Sequence, residues 1–376
     1  MTNNKIAFIR MWPNSPFGMN VSQLLIEQFP EYQVDIYDVE KLLETRLDIS
    51  LLNPFYVIKQ YGFDILSGSK KFKLSYLRTP YFFRKVKEVI SDQLSKNDYA
   101  FSFQLQSLID ASMPGLPHFV YTDHTHLANM NYPDFQRSQL FADEWIRLEK
   151  TIYQNASLVF TWSNNVSKSV IEQYECDPEK VICVYAGGNV QTLDRILDDH
   201  RYKQKNILFV GKDWERKGGP ELVEAFRIVL KTHPDAHLTI VGCSPEVDIP
   251  NCTVAGRVPL HEVGSYYESA SVFCLPTRRE PFGIVFVEAL SYKLPVVATA
   301  IGALPDLICD QQNGYLVKLN DVESLARALV ELIGDPDKCR TFGENGYRLV
   351  KDRYTWNSVG VRIGQYIHPY LHRNGI

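Results

Sequence analysis

What the chain lacks narrows its reading before any motif is considered. No G-x-G-x-x-G follows the first strand-like segment, Lys5 to Met11, which counts against a nicotinamide dehydrogenase. The only D-x-D is Asp335-Pro336-Asp337, whose proline reads as the first position of a helix and not as part of a metal cradle. The 7 cysteines are scattered, without a C-x-x-C or an evident pairing, which suits a reducing cytosol. No apolar run reaches the ~18 residues of a membrane-spanning helix. The N-terminus enters a strand pattern at once, without the apolar core of a signal peptide, so a cytoplasmic protein is expected. A net charge of −4 does not suit a general nucleic-acid binder. Internal repeats and low-complexity segments are absent.

What is present suits two domains. A chain of 376 residues is too long for one typical core, and 45% hydrophobic with 12% aromatic residues can fill two. Strand patterns at Lys5–Met11, Gln33–Val39, Tyr99–Gln104, His118–Thr122, Leu158–Trp162 and Val181–Ala186 alternate with helical ones, notably Val21–Gln28 and Phe141–Asn155. Strands alternating with helices imply a parallel sheet covered on both faces. The pattern resumes from Asn206, and the polar stretch Leu193 to Lys205 reads as the linker. The expected fold is α/β, with two Rossmann-like, doubly wound domains facing a cleft. Residues 1–192 form the first, 193–205 the linker and 206–357 the second. Ligands in such sheets collect at the carboxyl ends of the strands.

The most informative stretch is Glu280-Pro281-Phe282-Gly283-Ile284-Val285-Phe286-Val287-Glu288. Gly283 serves a tight turn, and the apolar run after it reads as a helix, greasy on nearly every side and therefore buried. A buried helix has no structural use for Glu288, because an unpaired carboxylate there is costly. Glu280 falls in the loop before the helix. A helix N-terminus offers free N–H groups and a positive dipole end, which suit a phosphate. Glu288 lies about five residues in, ~7 Å along the axis. The segment can therefore hold a phosphate at its tip, with one carboxylate beyond it and one behind. The plain alternative is a core helix with two solvated glutamates.

The surroundings favour the phosphate. Asn206 to Gly211 is a buried strand ending in glycine, followed by Lys212-Asp213-Trp214-Glu215-Arg216-Lys217-Gly218 and a helix from about Pro220 to Lys231. His237 to Gly242 is a second strand ending in glycine, and Ser271–Pro276 and Leu294–Thr299 repeat the pattern. With the E-x7-E motif from Glu280 to Glu288, residues ~206 to 356 resemble the nucleotide-binding half of retaining glycosyltransferases of family 4, which have the GT-B architecture. Arg216-Lys217-Gly218 resembles the form seen in lipopolysaccharide-core glucosyltransferases. Lys212 stands where other members carry Arg. The aromatic element Tyr354-Thr355-Trp356 resembles the end of the family's second domain, after which the chain crosses back, so 358–376 would belong with the first domain.

The resemblance implies roles. Arg216 and Lys217 grip the diphosphate of a nucleotide sugar, with Gly211 and Lys212 in the same loop. Glu280 binds hydroxyls of the donor sugar, the backbone of Phe282, Gly283, Ile284 and Val285 cradles sugar and phosphate, and Glu288 holds the ribose. The base lies near Gly242 and Arg257-Val258. In the first domain the loop Tyr121 to His126 brings His124 and His126 to the sugar face, and the alignment does not choose between them. Gly18, after the first strand, takes the place of a Gly-Gly that lets the backbone approach the donor. Retention by front-face attack, with the leaving phosphate taking the acceptor's proton, is implied by the family; no carboxylate placed as a nucleophile is evident.

The expected protein is a hexosyltransferase using a UDP-sugar, with UDP-glucose preferred, no metal and no other cofactor, and a saccharide or lipid-linked glycan as acceptor. A nucleotide-sugar epimerase and a non-catalytic nucleotide-sugar-binding or membrane-docking subunit are the competing readings. Lys70 to Lys87 carries seven basic residues among aromatics, with Glu88 the nearby counter-charge. Such a patch suits the inner face of an anionic membrane, or else a solvated helix face over core aromatics.

Overall fold

The structure is a computed structural model that describes residues 4–189 and 197–373. The chain forms two compact units, Met1–Tyr185 with Val359–Ile376, and Ala186–Ser358.

The first unit is built on β1 (Lys5–Arg10), β2 (Gln33–Asp38), β3 (Phe101–Leu105), β4 (His118–Thr122), β5 (Leu158–Thr161) and β6 (Val181–Cys183). They form one parallel sheet in the order β2-β1-β3-β4-β5-β6. Ile6 to Ile9 are fully buried, as a strand covered on both faces requires. Phe8, Phe103 and Phe119 stand in register across three strands. The chain runs outward from β1 to β2, then returns to β3 on the other side, so the order reverses between β1 and β3.

The helix after β1 spans Pro16–Gln28 and begins five residues before the expected Val21. Ser15 caps it, its hydroxyl accepting the Gly18 N–H at 3.4 Å, and Pro16 occupies the first turn. Gly18 therefore lies in a helical turn and not in an open loop. A Cβ there would stand 2.9 Å from Cδ of Arg10, which is ion-paired with Asp38 at 2.6 Å.

The second unit repeats the plan with β7 (Asn206–Val210), β8 (His237–Val241), β9 (Cys252–Gly256), β10 (Val272–Leu275), β11 (Val296–Thr299) and β12 (Gly314–Val317), all parallel in the order β12-β11-β10-β7-β8-β9. Here the reversal falls between β7 and β10. Of the expected linker, residues 190–196 lie outside the described residues. Its later part, Asp199–Gln204, is a 3-10 helix packed into the second unit: Ser271 Oγ donates to Arg201 O at 2.6 Å, and Arg201 donates to Tyr292 O at 2.7 Å. The last helix, Trp356–Arg373, starts in the second unit, where Trp356 Nε1 donates to Gly188 O at 3.0 Å. It ends in the first, where His368 packs on Phe29. Among the described residues no helix is long and apolar enough to cross a membrane.

Candidate functional site

In an open parallel sheet, the crevice beyond the strands' carboxyl ends at the reversal point is where ligands bind. In the second unit two loops meet there, 211–218 after β7 and 276–283 after β10. Their backbones touch at Gly218, which has φ +73°, and a Cβ would lie 2.0 Å from Pro276 O. No other residue fits that approach without moving a main chain. The loops are stitched further: Arg278 N donates to Arg216 O at 2.8 Å, and Arg216 Nη1 donates to Arg279 O at 3.0 Å. Arg278 pairs with Glu221, and the Trp214 ring covers Gly219.

Between these loops Lys217 Nζ donates to Glu280 Oε2 at 2.5 Å, with side chains only 12% and 9% exposed. The structure thus pairs the two groups that the sequence assigns to neighbouring parts of one ligand. An ammonium carries three donors and Glu280 uses one, which leaves donors for an anion. Arg216 is half-buried and held by Asp213, its Nε donating at 3.2 Å. Lys212 is exposed.

The expected helix is Ile284–Ser291, capped by Gly283 at φ +99°. Phe286 N and Val287 N turn back to Gly283 O at 2.9 and 3.3 Å, and the N–H groups of Ile284 and Val285, as first-turn donors, have no acceptor within the helix. Phe282, just before the helix, is buried. Glu288, on the fifth residue of the helix, is 5% exposed, and Tyr267 Oη donates to its Oε2 at 3.1 Å. Burial pushes its pKa up to about 7, against a smaller lowering by the Tyr267 hydrogen bond. A carboxyl so placed gains from further donors.

The glycines ending β7 and β8 stack: Gly242, at φ +97°, would bring a Cβ within 2.8 Å of Gly211 O. Gly242 N donates to Gly256 O at 2.7 Å. Arg257 and Val258 follow the edge strand β9, Arg257 exposed and Val258 half-buried. Asp335 caps the helix Pro336–Arg353 by accepting the Lys338 N–H at 2.9 Å, and Asp337 pairs with Arg340, so the D-x-D is a helix start. Among the described residues no group of three His, Cys, Asp or Glu side chains is placed to hold a metal ion.

In the first unit, β4 ends at Thr122 and the loop turns, so the two histidines part. His126 is consumed in packing. Its Nε2 accepts the Phe141 N–H at 2.9 Å, its own N–H donates to Glu149 Oε1 at 3.0 Å, and its ring meets Trp145 edge-on. Burial lowers its pKa to about 3. His124 is half-buried, its ring 6.3 Å from that of Tyr132, and burial lowers its pKa to about 4, so it is neutral at pH 7. Its carbonyl is pinned by the Thr122 and Ser107 hydroxyls at 2.9 and 3.2 Å. Glu149, on the helix Asp143–Asn155, was not found by sequence reasoning. It accepts from His126 N, from Tyr153 Oη at 3.2 Å and from Tyr174 Oη, and burial raises its pKa to about 7. The signal was its spacing from Trp145, Ile152 and Tyr153, which puts it on the apolar face.

The basic stretch 70–87 is less free than its sequence suggests. Asp64, six residues earlier, takes Lys70 at 2.6 Å, and two carboxylates from farther along the chain, Asp110 and Glu144, take Lys87 at 2.5 Å and Arg84 at 2.7 Å. Arg78 lies over the rings of Phe141 and Trp145, and Phe82 and Phe83 are buried.

Residues 194–349 match the family model for Glycosyl transferases group 1, so the second unit carries a domain of that family. D-inositol 3-phosphate glycosyltransferase of Corynebacterium aurimucosum is 26% identical over 242 residues, 57% of each chain. The capsular polysaccharide biosynthesis glycosyltransferase CapM of Staphylococcus aureus is 28% identical over 60% of this chain and 64% of its own. The chain thus spans little more than half the length of the curated relatives it matches. Sucrose-phosphate synthase from Thermosynechococcus elongatus superposes with a TM-score of 0.71 at 18% identity, covering 99% of this chain and 100% of that one. Anabaena HepE, solved with UDP and glucose, superposes with a TM-score of 0.61 at 16% identity over 97% of this chain and 100% of its own. The two-sheet α/β fold is that of GT-B glycosyltransferase structures.

Proposed function

We propose that the chain is a retaining hexosyltransferase that moves a sugar, glucose first among candidates, from a UDP-sugar to a saccharide or lipid-linked glycan acceptor. The observation that carries this reading is the convergence at the β7–β10 reversal of the Lys217–Glu280 pair, Arg216 and the N-terminus of the helix Ile284–Ser291, with buried Glu288 one turn behind. The group 1 domain match and a fold shared with a structure solved with UDP and glucose support it.

In this reading the diphosphate lies against Arg216, Lys217 and the first-turn N–H groups of Ile284 and Val285. Glu280 accepts from sugar hydroxyls, and Glu288 accepts from the ribose hydroxyls, which satisfies its buried charge. The bond from the anomeric carbon to the phosphate oxygen breaks, and negative charge grows on the diphosphate, where the cations and amide dipoles are aimed. The acceptor hydroxyl attacks from the face just vacated, and its proton passes to the departing phosphate oxygen. Catalysis is positioning plus electrostatics.

Thermal-shift screening of nucleotide sugars tests this. A ligand at 100 times its dissociation constant adds ~2.7 kcal/mol to stability. UDP and one UDP-sugar should raise the melting temperature, and excess EDTA should leave transfer intact. No shift with any uridine nucleotide would overturn the donor assignment.

A further inference from the structure

We propose that the outward face of the helix Leu47–Leu66 is a docking surface for an anionic lipid bilayer. The inference deepens the lipid-linked acceptor reading above but is tested separately from the donor site.

The helix is 20 residues long, ~30 Å at 1.5 Å per residue. Its inner face is the row Ile49, Asn53, Val57 and Tyr61. Two polar anchors fix that orientation: Asn53 Nδ2 donates to Tyr76 O at 2.8 Å, and Tyr61 Oη donates to Arg78 O at 2.7 Å. The opposite side carries Leu47, Leu51, Phe55, Ile58, Phe63 and Leu66, every one between 64% and 89% exposed. Their spacing of mostly three and four residues places them on one broad stripe along the helix. Single exposed apolar residues are ordinary, but a contiguous apolar face of this length marks an interaction site. The short helix Phe72–Tyr76 packs beside it and adds exposed Phe72 and Leu74.

Charge selects the occupant. Asp48 is taken by Arg46 at 2.7 Å and Asp64 by Lys70 at 2.6 Å, which cancels both carboxylates of the long helix. Lys59 on the long helix and Lys71 beside Phe72 are exposed and form no ion pair among the described residues. Lys73 is exposed too, but it lines a hollow shared with Glu40 and Glu44; Lys59 lines another with Glu88 and Glu144, which are taken by Lys85 and Arg84, so the positive excess rests on Lys59 and Lys71. A second copy packed face to face would bring like charges into a symmetric interface. An anionic bilayer meets both features: acyl chains receive the leucines and phenylalanines, and headgroups meet the lysines. The docking element is thus the helix preceding the basic stretch that the sequence singled out, whose own cations are largely paired within the unit.

The test is sedimentation of the full chain with vesicles of phosphatidylcholine alone or with one quarter phosphatidylglycerol, at low and high salt. The wild type should pellet with the anionic vesicles and less so at high salt. Leu51→Ser/Phe55→Ser/Phe63→Ser should lose at least tenfold in partition. Lys59→Glu/Lys71→Glu should weaken partition and flatten its salt dependence. Both variants should keep wild-type UDP affinity, which shows that they fold and keeps the donor site out of the outcome. A wild type that stays in the supernatant with both vesicles, or a triple variant that pellets like it, overturns the proposal. A concentration-dependent dimer in sedimentation velocity that the triple variant disperses, without vesicle binding, would assign the face to a second copy and overturn it equally.

Discussion

Lys217 and Glu280 meet at 2.5 Å across the point where the strand order of the second sheet reverses. The pair ties the loop after β7 to the loop after β10 and sets a cation and an anion side by side at a helix N-terminus. Removing one partner leaves the other nearly buried and uncompensated, at a cost of about 3 kcal/mol. Lys217→Ala and Glu280→Ala should each lower stability by that order in denaturant unfolding, and the double variant should recover part of it. Donor turnover, read as UDP release, should be lost in all three. A double variant that regained turnover with stability would make the pair purely structural.

The raised pKa of Glu288 gives the site a pH signature. Its native value of about 7 lies above the ordinary glutamate value of 4.5, so the folded state holds the proton more tightly than the unfolded one. The stability this adds is full at low pH and is lost as pH rises through about 7. A ligand whose hydroxyls donate to the carboxylate selects the ionised form, so its binding releases a proton and tightens with pH. UDP-glucose affinity should rise about tenfold from pH 6 to pH 8 if the group titrates near 7, and Glu288→Gln should flatten the profile. Glu149 titrates in the same window, so the difference between wild type and variant is the quantity to read. A profile equally steep in the variant would remove Glu288 from the ribose.

Gly218→Ala tests the contact between the loops. The new Cβ would meet Pro276 O, in a backbone conformation that disfavours any side chain. A loss of about 2 kcal/mol or more in stability is expected, with donor turnover falling further than stability alone explains. Unfolding like that of the wild type would show that the loops part without cost.

The histidine loop should separate into a catalytic and a structural member. His126→Ala leaves the Phe141 N–H without its acceptor and should cost about 1–3 kcal/mol. Glu149→Ala strands three donors and should cost at least as much. His124→Ala should unfold nearly as the wild type does but lose at least tenfold in turnover, about 1.4 kcal/mol. Wild-type turnover in His124→Ala would take this loop out of the mechanism.

The sequence disclosed most of this wherever one segment carried its own signal. Strands buried on both faces read as apolar runs, and β4 and β7 appear at their expected places. The buried Glu288 was legible because a carboxylate in an apolar helix is costly unless it meets a partner, and the neighbouring loops supplied a reason for one. Strands β9 and β12 were missed because they lie at the sheet's edges, β9 with its first four residues at least partly exposed and β12 with its middle two, so neither shows a full apolar run. The Lys217–Glu280 pair was hidden by a separation of 63 positions along the chain. The same distance effect made 70–87 look like a bare cationic patch, since Asp110 and Glu144 arrive from elsewhere. The helix Leu47–Leu66 escaped notice because apolar residues lie on both its faces, and periodicity alone does not say which face finds a core.

The most direct test of the whole account is calorimetric titration of UDP into the wild type, Glu280→Ala and Glu288→Ala, which needs neither the donor sugar nor the acceptor to be known. UDP should bind the wild type, Glu280→Ala should bind it within about twofold because that carboxylate serves the sugar, and Glu288→Ala should bind it at least tenfold more weakly, about 1.4 kcal/mol. A wild type that does not bind UDP, or a loss that falls on Glu280→Ala and spares Glu288→Ala, would contradict it.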